Sequence, residues 1–168
     1  MKHFDYFAPT EIIFGAGRVT EAGALAARYG KKAMLVTVPE FPAVAELYAK
    51  VKKSLADAGV ACVHYDGVIP NPTTELVTRG AELAKAEGVD VVIGLGGGSS
   101  MDTAKAIGII VTNPEFADVR SLEGTADTKN PCLPIIAVPT TAGTAAEVTI
   151  NYVITDVEKN RKFVCVDP

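Results

Sequence analysis

Tryptophan is absent from this 168-residue chain, histidine occurs twice and cysteine three times. Each scarcity excludes something. His3 and His64 stand far apart and neither belongs to a metal-ligand spacing or a Ser/His/Asp arrangement, so both read as structural or solvated. Cys62, Cys132 and Cys165 are odd in number and contain no CxxC pair. That argues against a zinc site or a disulfide framework and points to buried, inert thiols. No apolar run approaches the roughly 18 residues of a membrane span. The opening MKHFDYFAPTEIIFG lacks the apolar core of a secretory signal. Basic charge is also short, with sixteen Lys and Arg against twenty Asp and Glu, a net charge of −4 and a pI of about 5.2. A broad nucleic-acid surface needs the opposite balance. The expectation is a soluble, cytoplasmic protein that engages neither nucleic acid nor membrane.

What is present is ordinary globular composition, 48% apolar and 21% charged, at a length suited to one domain over 1–168. Short β-branched runs alternate with segments of helical period. Thr10–Phe14, Ala33–Thr37, Ala61–Tyr65, Val91–Leu95 and Ile135–Val138 read as strands. Val19–Tyr29, Val44–Ala58, a segment opened by Thr73 or Thr74 and running to Gly88, and Ser100 to about Val111 read as helices. Ile150–Thr155 and Lys162–Val166, flanking Asp156–Arg161, read as a hairpin. Uninterrupted apolar strands separated by helices predict an α/β fold: a Rossmann-like parallel sheet with helices on both faces, plus a C-terminal β-hairpin.

Chemistry concentrates in loops that leave strands at one edge of such a sheet. Gly94-Leu-Gly-Gly-Gly-Ser-Ser100 joins a strand to a helix, and three successive glycines let backbone N–H groups approach an anion at the helix N-terminus. Ser99 reads as the helix N-cap, with Asp102 completing a capping box. The loop also reads simply as a tight strand-to-helix turn, and two familiar phosphate patterns fail on it. A P-loop needs Gly-Lys-Ser/Thr, whereas Lys105 lies inside the helix. GxGxxG counted from Gly94 needs glycine where Ser99 stands, and the earlier Gly15-Ala16-Gly17 lacks it at Thr20. The Thr-rich loop Pro139–Glu147 and the Asn71-Pro72 turn leave two further strands, and their convergence favours a ligand edge. No catalytic or metal-ligating constellation is visible.

These loops carry a family resemblance. GGGSSMDTAKAIG (Gly96–Gly108) resembles the GGGSxxDxxK segment of the iron-containing (group III) alcohol dehydrogenases. PTTAGTAAEVT (Pro139–Thr149) is similar to their PTTxGTGSEVT loop, and VIPNP (Val68–Pro72) to their NP segment. NPEFADVRSLEG (Asn113–Gly124) and NYVITDVEKNRKFVCVDP (Asn151–Pro168) are most similar to the family's lactaldehyde/1,2-propanediol branch. The resemblance spans essentially the whole chain.

It implies an NAD(P)-binding domain of an oxidoreductase acting on small aldehydes and alcohols, and a homodimer habit. Catalytic Fe²⁺ belongs to a helical domain in the family, its Asp and three His ligands lying beyond Pro168, so this chain alone is expected to be inactive. By position, Gly97, Gly98, Ser99 and Ser100 would cradle the pyrophosphate, with Asp102 nearby. Thr140, Thr141 and Thr144 would line the cofactor, and Asn71, Thr149, Val153 and Lys162 would surround its adenine and nicotinamide ends. Two departures stand out. Val38 occupies the place of the Asp that takes the adenosine ribose hydroxyls in NAD-using relatives, which leaves NADP open beside NAD. Ala145-Ala146 replace the usual Gly-Ser. Two alternatives remain: a stand-alone, non-catalytic nucleotide-binding module, and the first domain of a glycerol dehydrogenase or dehydroquinate synthase-like enzyme.

Overall fold

The computed structural model describes residue 3 and residues 9–167. A single 3₁₀ turn, Arg18–Glu21, leads into α1 (Ala22–Ala26), followed by β1 (Lys32–Val36), α2 (Pro42–Asp57), β2 (Ala61–Tyr65), α3 (Thr74–Glu87), β3 (Val91–Gly96) and α4 (Gly98–Thr112). After two further 3₁₀ turns come β4 (Gly124–Thr125), β5 (Ile135–Pro139) and the hairpin of β6 (Asn151–Asp156) and β7 (Arg161–Val166). Local chemistry sets these limits. Pro42 occupies the first turn of α2, where its missing N–H costs nothing. Thr73 caps α3, its Oγ1 accepting the Leu76 N–H at 3.4 Å, and Gly88 at φ 63° closes that helix.

Strands β2-β1-β3-β5 form one parallel sheet in that order. The chain moves one way across the sheet from β1 to β2, then back the other way to β3 and β5. Right-handed crossovers must therefore put α2 on one face and α3 and α4 on the other. The core divides accordingly. Ala33, Leu35, Val91, Ile93 and Leu95 pack with Ala22, Ala26, Tyr48, Val51 and Leu55, while Met34, Val36 and Val92 pack with Leu76, Ala84, Ala104 and Ile107. The alternate residues of β1 and β3 thus serve opposite faces, as strand geometry requires. β3 is buried at all six positions, which is why its run reads as unbroken apolar sequence.

A second sheet, β4-β7-β6, covers the other side of α4. Its Tyr152, Ile154, Phe163 and Cys165 pack on Ala106, Ile109 and Ile110 of α4 and on Val77 and Ala81 of α3. α4 therefore lies between two sheets, with nine of its fifteen residues buried, against three of sixteen in α2.

The parallel sheet, the helices on both faces and the C-terminal hairpin match the expectation, and three readings need correction. Residues 11–14 are not a strand, and Ile12 and Phe14 are 72% and 91% exposed. An apolar β-branched run becomes a strand only where another strand offers a ladder, and none among the described residues does. The segment read as one helix from Val19 to Tyr29 is a 3₁₀ turn followed by five α-helical residues. Cys62 is exposed, because β2 is an edge strand, whereas Cys165 is buried and Cys132 partly so. Burial pushes the Cys132 and Cys165 thiols up to about 12, so these two are inert as expected.

Ile107 is fully buried where α4 meets α3. Ile107→Ala is expected to lower unfolding free energy by about 2–5 kcal/mol in urea titrations. A loss under about 1 kcal/mol would mean that this contact is not the close-packed one described.

Candidate functional site

All four parallel strands deliver their carboxyl ends to one edge, and the order of connection reverses between β1 and β3. A crevice opens at such a switch point. β3 ends in Gly96, whose φ of 144° is open to glycine alone, and only Gly97 separates it from α4. The β5 loop closes over this turn. Thr140 N–H donates to the Gly96 carbonyl at 2.8 Å. A Cβ at Gly97 would sit 3.2 Å from Thr141 Oγ1, and one at Gly98 would sit 3.0 Å from Thr144 Oγ1. Side chains at either position would fill the space between the two loops.

The first turn of α4 is arranged differently from the capping box. Gly97 is the N-cap and no side chain caps the helix, because the glycines already adopt its first turn and leave Ser99 inside it. The Ser100 and Met101 amides return to the Gly97 carbonyl at 3.1 and 3.3 Å. The amides of Gly98 and Ser99 find no partner among the described residues, as expected of a helix N-terminus. Ser100 Oγ is buried beneath Gly96 and is also without a partner. Asp102, expected to face back to the cap, instead accepts the Val153 N–H of β6 at 3.0 Å.

A cleft of about 310 Å³ lies in front of this turn. Of the residues singled out in the sequence, Gly98, Ser99, Asp102, Thr144, Asn71, Val153 and Lys162 line it. Gly97 and Ser100 lie in the turn behind them, Thr140 and Thr141 belong to the loop over the glycines, and Thr149 sits on the approach to β6. Asn71 has φ 57°, and its Oδ1 accepts from Lys162 Nζ at 2.7 Å, tying the turn before α3 to β7. Pro72, part of the candidate Asn71-Pro72 turn, also lines the cleft, as does Thr155, which was missed. The sequence signal for Thr155 was its place two residues beyond Val153, on the same strand face. Pro72 was visible only as a turn former.

The electrostatics favour an anion. The N-terminus of α4 opens at the cleft, which the Lys162 ammonium also lines. One carboxylate opposes them. Burial raises the Asp102 pKa above the ordinary Asp range, against the Val153 N–H and the Lys105 charge, which lower it.

Away from the cleft, the Val38 carbonyl at the end of β1 accepts from Thr37 Oγ1 at 2.8 Å and from the Tyr48 hydroxyl at 3.3 Å. Its side chain offers no hydrogen-bond acceptor. His64 Nε2 lies 2.9 Å from Thr37 Oγ1 with its ring edge-on to Tyr48, and burial lowers its pKa. It is part of the packing. His3 is exposed.

A family model described as iron-containing alcohol dehydrogenase matches residues 9–168. The chain belongs to the iron-containing alcohol dehydrogenase family. Lactaldehyde reductase of Escherichia coli (strain K12) is 54% identical over 155 residues, covering 92% of this chain and 41% of that protein. A crystal structure of 1,3-propanediol oxidoreductase superposes with a TM-score of 0.90 at 37% identity, covering 99% of this chain and 43% of that one. NADH-dependent butanol dehydrogenase A of Thermotoga maritima does so with a TM-score of 0.89 at 30% identity, over 99% and 42%. The chain thus spans about two fifths of the length of the relatives it matches. Among the described residues no group of three or more His, Cys, Asp or Glu comes together. Nor, among them, is any helix long and apolar enough to cross a membrane.

Because the Asp102 pKa is raised by folding, its contribution to stability must fall as pH rises through that raised value. Asp102→Asn keeps an acceptor for Val153 and removes the titration. The melting temperature of wild type minus that of the variant is expected to decrease from about pH 4 to about pH 7. A difference that grows with pH contradicts the burial argument.

Proposed function

We infer that this chain binds a nicotinamide dinucleotide across the switch-point cleft, as the cofactor-binding domain, over 1–168, of an alcohol or aldehyde oxidoreductase. The observation that carries the reading is the glycine turn. It brings free amides of α4 to a cleft lined by a lysine, at a point where an added Cβ would press to within 3.0–3.2 Å of the threonine loop. The donor set suits a pyrophosphate: the amides of Gly97, Gly98 and Ser99, and the orphaned Ser100 hydroxyl just behind them.

In this reading Gly97, Gly98, Ser99 and Ser100 hold the diphosphate, while Thr140, Thr141 and Thr144 exclude water from above it. Asn71 fixes Lys162, whose ammonium neutralises phosphate charge. Thr149 and Val153 form the far wall. Asp102 holds that wall by accepting from Val153. The bound dinucleotide supplies or accepts a hydride. Val38 provides no acceptor for a ribose 2′-hydroxyl at the end of β1, so both NAD and NADP fit this reading. The substrate class is a small aldehyde or alcohol of the lactaldehyde/1,2-propanediol kind, drawn from the 54%-identical relative. A homodimer in the cytoplasm completes the proposal.

Titration with NADH and NADPH, followed by nicotinamide fluorescence, tests it. A saturable change is expected for at least one of them. Gly98→Val, with its fold verified by circular dichroism, is expected to weaken binding at least about tenfold, since its side chain occupies the approach to the amides. Absence of saturation with both dinucleotides in the wild type overturns the reading.

A further inference from the structure

β6 pairs with β7 along one edge only. In an antiparallel pair, alternate residues turn both backbone groups outward. Here Asn151, Val153 and Thr155 stand opposite Val166, Val164 and Lys162. Each has an outward backbone group satisfied from across the cleft's base. The Asn151 carbonyl accepts from Lys105 Nζ at 2.9 Å, the Val153 N–H donates to Asp102 Oδ2 at 3.0 Å, and the Thr155 N–H donates to the Pro72 carbonyl at 2.8 Å. Lys105 has two more contacts, with the Thr149 carbonyl at 2.7 Å and Thr149 Oγ1 at 3.4 Å. An ammonium has three donors, and all three are used within the chain.

We propose that Lys105 is a positioning residue for the cleft: with Asp102 one turn before it on α4, it holds the edge of β6 at a fixed distance from the helix N-terminus. This rests on the dinucleotide reading above. The amides belong to α4 and the opposing wall of Val153 and Thr155 belongs to the hairpin, and the apolar packing of that hairpin on Ala106, Ile109 and Ile110 lies further along the helix, away from its N-terminus. Lys105 and Asp102 make the spacing between them a property of one helix. The arrangement also explains why a lysine so near a phosphate-type loop is not a phosphate ligand. Its donors point to backbone, and it lies too far into the helix to reach the first-turn amides.

The test compares wild type, Lys105→Met and Lys105→Arg by dinucleotide titration at several salt concentrations and by amide hydrogen exchange. Lys105→Met is expected to weaken binding about tenfold, to leave its salt dependence unchanged, and to speed exchange at Asn151 and Val153. Lys105→Arg should recover much of the affinity. Wild-type affinity in Lys105→Met overturns the proposal. So does weaker binding with a flattened salt dependence, which would make Lys105 a direct phosphate contact. Weaker binding with unchanged exchange at Asn151 and Val153 overturns it as well. One measurement needs no variant: in the ligand-free wild type the Val153 amide, although at a strand edge, is expected to exchange as slowly as core amides, and fast exchange there contradicts the brace. If wild type binds neither dinucleotide, the functional reading fails by itself, while the exchange comparison still decides whether the brace exists.

Discussion

Everything in this fold is arranged around the seating of α4 between two sheets. Its inner side approaches β3 through Gly94, where an added Cβ would lie 3.1 Å from Met101 Cα and from Ala104 Cβ. Its outer side carries the hairpin sheet on Ala106, Ile109 and Ile110. A helix buried on two sides has little freedom to slide or tilt without losing contacts on one of them. Its N-terminus is therefore fixed relative to the carboxyl ends of the strands. A binding site made of backbone amides needs that fixity, because amides have no side-chain torsions with which to adjust.

The same helix supplies two charged groups that bond to the backbone of the hairpin. Asp102 and Lys105 lie one turn apart and bond two backbone groups on the outer edge of β6, one by accepting and one by donating. An exposed strand edge is a template for unwanted pairing. Here the edge is capped by side chains from the helix beneath it and by the turn at Pro72. The protection of the edge and the shaping of the cleft are one set of contacts.

Much of this was legible in the sequence, for particular reasons. β3 and the glycine turn are local: six consecutive buried positions read as an apolar run, and triple glycine has few uses. The sheet and its covering helices follow from the alternation of such runs. What escaped depended on partners remote in sequence. Ile12 and Phe14 have the composition of a strand, yet no ladder among the described residues receives them. Cys62 looks like core, but β2 is the sheet edge. Ser99 has the chemistry of an N-cap, yet flexible glycines let the helix start earlier and moved Asp102 out of reach of the cap. Thr155 became a cleft residue only through the hairpin register. The family motifs pointed to loops that meet at the cleft because each motif is short and contiguous. They said nothing of which side chains face each other across the cleft.

The central claim is that backbone amides at the start of α4, facing the edge-capped wall of β6, form an anion site for a dinucleotide. The most direct measurement is the amide NMR spectrum of the isotopically labelled chain with and without a nicotinamide dinucleotide. The account predicts the largest shift changes at Gly97, Gly98 and Ser99, with a second set at Val153 and Thr155. Binding that leaves the α4 amides unmoved, with its changes on another face such as the groove beside Thr20 and Ser54, would contradict it.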